Sequence, residues 1–494
     1  MVLLLAVLCF IFGRPVTHVV CTASQDQDER TPLPPGQVDD ASRLNATEMR
    51  EVVDVPIDLA RAEEQLATLL QTAREQGLKV SIAGARHSMG GHTIYPGGIS
   101  INMLPMKHLR LDPDTGILQV GSGALWRDVI KYLDGHGRSV AVMQSNNSFS
   151  VGGSISVNCH GWQYGKPPIA STVRSLRLMQ SDGSIVRCSR DENPELFSLV
   201  LGGYGLFGII LEIDLQTVPN QRYRLETSLV PAVDSLATYD SKVLQRPEVR
   251  MVYARMNVSR ESFLDEVMLY VLVDDPAPDG VIPALSTAGL VSLRRSIFRG
   301  SVESEYGKRL RWKAETQIRP KLGGSIYSRN QLLNESVEVF QNRSQKTTDI
   351  LHEYFVSREK AASFVEELRT IIPSHSGNLL NVTVRQVETD TDTFLRYAPS
   401  PMLALVMLFD QERTPAAEEK MQAMASEMIE AGLLHGGCYY LPYRLHATPD
   451  QFRRAYPQAE AFFKLKRKYD PHELFQNEFY RKYGGRSDVG AQAN

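Results

Sequence analysis

A chain of 494 residues, 43% hydrophobic and 22% charged, has the composition of a globular protein and length for about two or three domains. Its formal net charge of −3 leaves no polyanion-binding signal, so nucleic acid is excluded as an expected partner. The five cysteines, Cys9, Cys21, Cys159, Cys188 and Cys438, are too few and too scattered for a disulfide scaffold or a zinc site, and no metal is expected.

The chain opens on the uncharged apolar run Val2–Phe12, followed by Arg14. That run is shorter than a spanning helix needs and fits the hydrophobic stretch of a signal peptide, taken as 1–23. Export is the expectation, with membrane association through an uncleaved anchor as the second reading. Residues 24–49 are polar and proline-containing and read as a linker. A strand around Val52–Val55 follows. Asp58 then caps a helix carrying Leu59, Ala62, Leu66, Leu69, Leu70 and Ala73 on one side, and Gly77 ends it. The strand Lys79–Ala83 completes a small parallel unit. It runs into Gly84-Ala85-Arg86-His87-Ser88, then Gly90-Gly91 and Gly97-Gly98. The N–H groups of such a turn converge well enough to cradle a pyrophosphate, and His87 stands where a bound cofactor would pass.

Ile99–Leu104 reads as a strand, Leu109–Leu111 and Ile117–Val120 as a hairpin, and Leu125–Leu133 as a helix. Ser139–Met143 is a short strand. The second dense motif is Ser148–Trp162, SFSVGGSISVNCHGW, read as a glycine-rich loop whose small residues leave room for a planar ring. After a hairpin over Thr172–Met179 and Ser184–Cys188 and a helix over Asp191–Val200 comes GGYGLFGII, Gly202–Ile210. It contains a literal G-x-G-x-x-G. A nicotinamide-binding fingerprint follows a strand and opens a helix; this one follows a helix and opens the strand Ile209–Leu215, which argues against that cofactor.

From Val218 no comparable glycine loop recurs. Arg222–Pro231, Val249–Asn257 and Glu266–Val273 read as extended and Val233–Leu244 as helical. Pro276–Arg319 is basic and irregular, read as a solvated helical face in preference to a flap or membrane-surface patch. His352–Val356 precedes the helix Ser357–Ile372. In Asn381–Val387 the alternation places Arg385 beside Thr383 on one face. A cation there suits an oxygen-bearing substrate or developing negative charge. An ordinary salt bridge is the competing role for Arg385. Near the end stands Lys466-Arg467-Lys468-Tyr469-Asp470-Pro471, then Phe475 and Asn477.

Taken together, the loop around His87, the Val151-Gly152-Gly153 motif, the Gly203–Ile210 segment and the closing Tyr469–Asn477 stretch resemble the vanillyl-alcohol-oxidase-type flavoproteins with a PCMH-type FAD-binding domain. The likeness extends to sugar-lactone and alditol oxidases and to cytokinin dehydrogenases. It implies an α+β fold: a two-subdomain PCMH-type FAD-binding domain over 50–219, a substrate domain over 220–436 with a mostly antiparallel sheet covered by helices, and a segment 437–494 returning to the FAD domain. It implies FAD as cofactor. The cofactor-binding positions it implies are Ile82, Ala83, Gly84, Ala85, Arg86, His87 and Ser88 in the first loop. Gly152, Gly153, Ser156, Asn158, His160 and Gly161 follow in the second, and Gly208, Ile209, Ile210 and Asn477 later in the chain. His87 is the residue through which the flavin would be covalently attached, with His92 a competitor. Ser148 stands where some relatives have a second attaching cysteine, so double attachment is not expected.

Two departures matter. The family's sugar and lactone oxidases carry Glu-x-Arg where this chain has Thr383-Val384-Arg385, and their closing His-Trp-x-Lys is replaced by Cys438–Arg444. Candidate catalytic residues are therefore Arg385, Glu353, Tyr440 and Tyr443, with His160 a further possible base. The resemblance implies hydride transfer from a CH–OH group of a small molecule to flavin N5, with O2 or a quinone-like molecule as acceptor. A flavin-dependent C=C reductase and a non-catalytic flavin-binding protein are the alternatives.

Overall fold

The computed structural model describes residues 2–275, 280–286, 289–322 and 325–485. Three larger sheets and a two-stranded ribbon organise them into an α+β architecture.

The first sheet is small and wholly parallel, with Ile99–Asn102 between Glu51–Asp54 and Val80–Ala83. A parallel pair needs a crossover, and the helix Leu59–Glu75 supplies it. The Asp58 side chain accepts from Arg61 N, as an N-cap should. The helix buries Ala62, Leu66, Leu70 and Ala73 against Val80, Ile99 and Ile101. The C-terminal stretch closes the same core. Leu474 and Phe475 lie in it, and Val80 exchanges backbone hydrogen bonds with Leu474 and Gln476.

The second sheet is antiparallel, in the order Ile185–Ser189, Val173–Met179, Ile209–Pro219, Ile117–Gly121 and Leu109–Leu111; Arg138–Val140 also pairs with Ile209–Pro219. The third has eight antiparallel strands: Ile326–Ser328, Arg222–Pro231, Glu266–Asp274, Val249–Met256, Asn378–Val387, Met402–Glu412, Thr347–Val356 and Cys438–Tyr439. The helices Ala361–Ser374 and Pro415–Leu434 pack on it through Phe364, Leu368, Met424 and Met428. Its last strand lies past residue 436, so the sheet draws on the segment expected to return to the FAD domain.

Several elements differ from the sequence reading. Residues 37–49, read as part of a linker, form a two-stranded ribbon, Gln37–Val38 with Thr47–Glu48, and bury Val38 and Met49 against Ile94. The buried Asp40 carboxylate accepts from Gly91 N at 2.7 Å, tying this stretch to the first glycine turn. Val151–Ser156, read as loop, is a six-residue helix despite its two glycines. Tertiary contacts override propensity there: Gly152 N donates to Ser122 O, and a Cβ on Gly152 would lie 2.7 Å from Ser122 Cβ.

Pro276–Arg319 is not simply a solvated face. Residues 276–279 and 287–288 lie outside the described residues, but Val291–Arg299 and Glu305–Lys313 are helices, the first burying Arg295, Ser296 and Phe298. The N-terminal helix Val2–Gln25 contains Pro15 and docks on this segment. His18 Nε2 meets Gly300 O at 2.9 Å, and Arg295 pairs with Asp26 at 2.6 Å. Among the described residues no helix is long and apolar enough to cross a membrane.

Candidate active site and its FAD-binding loops

One cavity of about 1360 Å³ runs between the glycine turns and the inner face of the eight-stranded sheet. Drug-sized ligands fill about 300–1,000 Å³, so there is room for a large cofactor and a small substrate together.

The first wall is the turn after Val80–Ala83. Ile82, Gly84, Ala85, Arg86, His87 and Ser88 all line the cavity. Gly84 is required by close approach: a Cβ there would sit 2.0 Å from Ser150 Oγ, which accepts from Ala85 N at 3.3 Å. The two motifs thus brace one another. Arg86 holds a left-handed φ of 54° and donates to Ser100 Oγ at 2.8 Å. The His87 ring stacks on Phe149 with centroids 4.1 Å apart, and its Nε2 lies 3.2 Å from Ser148 O. A carbonyl oxygen only accepts, so Nε2 carries the proton and Nδ1 keeps its lone pair. Burial pushes the His87 pKa down, favouring this neutral form. His92 also reaches the cavity, its ring near Tyr204 and Phe479.

Gly152, Gly153, Ser156 and His160 form the second wall, and Gly208 and Ile210 add to it. Gly208 has a φ of 146°, and a Cβ on it would meet Met179 O at 2.6 Å. Five expected cofactor positions lie behind the lining. Ala83 is buried at the strand end, where its carbonyl accepts from Met103 N. Asn158 is occupied by protein: Nδ2 donates to Asp390 Oδ2 at 2.9 Å and Oδ1 accepts from Ala170 N. Gly161 packs against Met143 O. Ile209 points into the core of the first sheet. Asn477 acts at one remove, donating to His92 O and Tyr204 O, so it fixes two cavity-lining residues without joining them.

The opposite wall comes from the large sheet. Glu353, Arg385, Tyr440 and Tyr443 all line the cavity. Glu353 is 3% exposed. Its Oε1 lies 2.5 Å from His160 Nε2, and its Oε2 accepts from Tyr443 OH at 3.2 Å. Burial, with the Glu353 charge alongside, holds the Tyr443 phenol well above its ordinary pKa, so it is a neutral donor. Tyr440 is likewise held neutral by burial and donates to Val157 O at 2.9 Å. The Arg385 guanidinium donates to Ser145 Oγ at 2.6 Å; burial lowers its pKa, and Glu353 opposes that shift. Among the described residues, Arg385 therefore makes no direct salt bridge. The sequence carries no sign of the His160–Glu353 contact, which joins residues 193 positions apart. Nor did it single out Arg255, Arg311 or Asn381, which share this wall.

Buried polar atoms on the lining tell what the cavity awaits. Arg86 Nε, Ser88 Oγ, Thr93 Oγ1, Ser122 Oγ, His160 Nδ1 and Arg385 Nε have no hydrogen-bond partner among the described residues. Orphaned groups in such number are uncommon in a native interior and point to a polar ligand. Arg86 and Ser88 lie in the first glycine turn and can meet an anionic group there.

Comparison with known proteins agrees. The family model described as FAD binding domain matches residues 57–189, which take in the His87 turn and the Gly152-Gly153 motif. The chain carries an FAD binding domain. Its cofactor is FAD. The chain is similar to part of cytokinin dehydrogenase 2 of Arabidopsis thaliana, at 34% identity over 148 residues, covering 29% of this chain and 30% of that protein. It is similar to L-gulonolactone oxidase of Mus musculus, at 32% over 165 residues, covering 33% and 37%. An FAD-dependent monooxygenase of Cochliobolus heterostrophus is 28% identical over 159 residues, covering 31% and 30%. The chain thus aligns with about a third of the length of these relatives.

Proposed function

We propose that the chain is an FAD-dependent oxidoreductase that takes a hydride from a CH–OH group of a small molecule. The reading is carried by the buried chain of hydrogen bonds His160–Glu353–Tyr443, at 2.5 and 3.2 Å, on the cavity wall facing the FAD loops. FAD, when bound, supplies the hydride acceptor and passes the electrons on to O2 or a quinone-like acceptor. An alcohol can give up hydride only as its hydroxyl proton leaves, so the site needs a proton acceptor in reach. Glu353 is that acceptor, and His160 and Tyr443 orient its two oxygens. Arg385, paired with no carboxylate among the described residues, stabilises negative charge growing on the substrate oxygen. Tyr440 fixes the second FAD loop through Val157 O and closes the chamber against water.

His87 is the proposed point of covalent attachment. Its unprotonated Nδ1, the stacking on Phe149 and its place on the lining support that role.

The test is an anaerobic screen of the purified flavoprotein against sugars, 2-hydroxy acids, sterols and aromatic alcohols, following loss of the yellow flavin absorbance. At least one alcohol class should bleach it. Protein that is fully loaded, bleached by chemical reductant and inert to every alcohol would refute the reading.

A further inference from the structure

The inner face of the large sheet carries more positive charge than the proposed chemistry uses. Arg255 pairs in register with Thr383, Thr383 with Val406, and Val406 with Glu353. Arg255 and Glu353 therefore stand on one row across four strands, with backbones roughly 14 Å apart at about 4.8 Å per strand. Both side chains line the cavity. Arg311, from the covering helix Glu305–Lys313, reaches the same spot: its Nη2 donates to Asn381 Oδ1 at 3.1 Å, and Arg255 Nη1 donates to that oxygen at 2.5 Å. One neutral amide oxygen thus holds two guanidinium groups together.

Their charge is poorly met. Glu315 is the nearest carboxylate, but its Oε1 is 3.8 Å from Arg255 Nε and already accepts from Tyr270 OH at 2.9 Å. Arg255 Nε is buried with no hydrogen-bond partner. Burial drags the Arg311 pKa down to about 10, the cost of a cation held with too little compensation. Counting Arg255, Arg311 and Arg385 against Glu315 and Glu353, these five side chains leave one excess positive charge facing the cavity. Buried cations are normally paired, and paired guanidinium forks match the geometry of an oxyanion.

We propose that Arg255 and Arg311 form an oxyanion subsite, and that the substrate carries a carboxylate or phosphate at the end remote from its reacting carbon. This deepens the function proposed above and rests on it for the reacting end alone. The acid group docks in the Arg255–Arg311 fork and replaces the weak help of Asn381. The carbon chain then lies along the sheet and brings the CH–OH group to Glu353 and Arg385.

The test uses the flavin-loaded protein and reads binding from the flavin difference spectrum. The probes are hexanoate, hexyl phosphate, hexanamide and hexylamine, which share a tail and differ in head group. Either oxyanion should bind at least roughly tenfold tighter than hexanamide, the difference made by about one charge-assisted hydrogen bond, and hexylamine should bind weakest. The stronger of the two acids says which oxyanion the fork prefers. Arg255→Gln and Arg311→Gln should each erase most of that preference. Asn381→Asp, nearly isosteric, should erase it too by placing a resident carboxylate between the guanidiniums, and it keeps the test open if a glutamine variant fails to fold. Equal binding of hexanoate, hexyl phosphate and hexanamide, or a preference that survives the Asn381→Asp change, would overturn the proposal. Because the readout is binding, this outcome is separable from the alcohol screen: a chain that prefers oxyanions but oxidises no alcohol loses the proposed reaction and keeps the subsite.

Discussion

Replacing Glu353 by Gln removes one negative charge and changes almost no volume, which makes it the sharpest probe of the proposed base. The carboxylate is buried, with Oε1 2.5 Å from His160 Nε2 and Oε2 3.2 Å from Tyr443 OH. An amide can satisfy only one of these neighbours with its oxygen. One charge-assisted hydrogen bond is lost, worth about 1.5–3 kcal/mol of stability, which should appear as a fall of a few degrees in Tm. Kinetically the loss is larger. A positioned general base contributes about 10²–10⁴-fold, so the rate of anaerobic flavin reduction by a good alcohol substrate should fall about a hundredfold or more. FAD content should hold, because Glu353 touches the FAD loops only through His160. Tyr443→Phe removes a single 3.2 Å hydrogen bond and leaves the charge, so it should slow reduction far less than Glu353→Gln. Stopped-flow absorbance under anaerobic conditions measures both. A Gln variant that reduces its flavin within about threefold of the parent rate would refute the assignment of Glu353 as base.

Three further outcomes are expected. His87→Ala should give a colourless pellet on acid precipitation while the parent pellet stays yellow; a yellow variant pellet would remove His87 as the attachment point. Gly84→Ala forces a Cβ to within 2.0 Å of Ser150 Oγ, so the brace between the two FAD loops must break, and flavin retention through gel filtration should drop sharply; full retention would show that the close approach is not needed. Burial and the neighbouring Asp349 raise the Asp410 pKa from 3.8 to about 7. Between those values the native state keeps a proton that the unfolded state gives up, so Asp410 stabilises the fold at low pH and loses that contribution as pH rises through about 7. Asp410→Asn should flatten the decline of Tm between pH 4 and pH 7, and an unchanged profile would count against the raised pKa.

Legibility followed the range over which each constraint acts. The Asp58-capped helix and the turn at Gly84 were readable because each is set by local residues: a cap with an apolar period, and a close approach. The reversed order around Gly203–Gly208, helix before and strand after, was likewise enough to set aside a nicotinamide fingerprint. The two-glycine helix Val151–Ser156 was not readable, since it exists through contacts with Ser122 and Ser150 that propensity cannot see. Asn158 shows the same limit from the other side. A polar residue in a glycine-rich motif looks like a ligand contact, yet its partner is Asp390, 232 positions away. Arg255 and Arg311 were passed over because one lies in an ordinary strand and the other in the basic stretch Pro276–Arg319. Only the folding of that stretch over the sheet turns a diffuse charge run into two guanidiniums on one amide oxygen.

The proposed reaction requires FAD in the cavity between the glycine turns and the large sheet. Flavin content of the full chain, purified after expression with ample riboflavin, tests this most directly. The prediction is one FAD per folded chain, with a spectrum that shifts when Glu353 or Arg385 is substituted. Cooperatively folded protein that binds no flavin, or whose flavin spectrum ignores both substitutions, would contradict it.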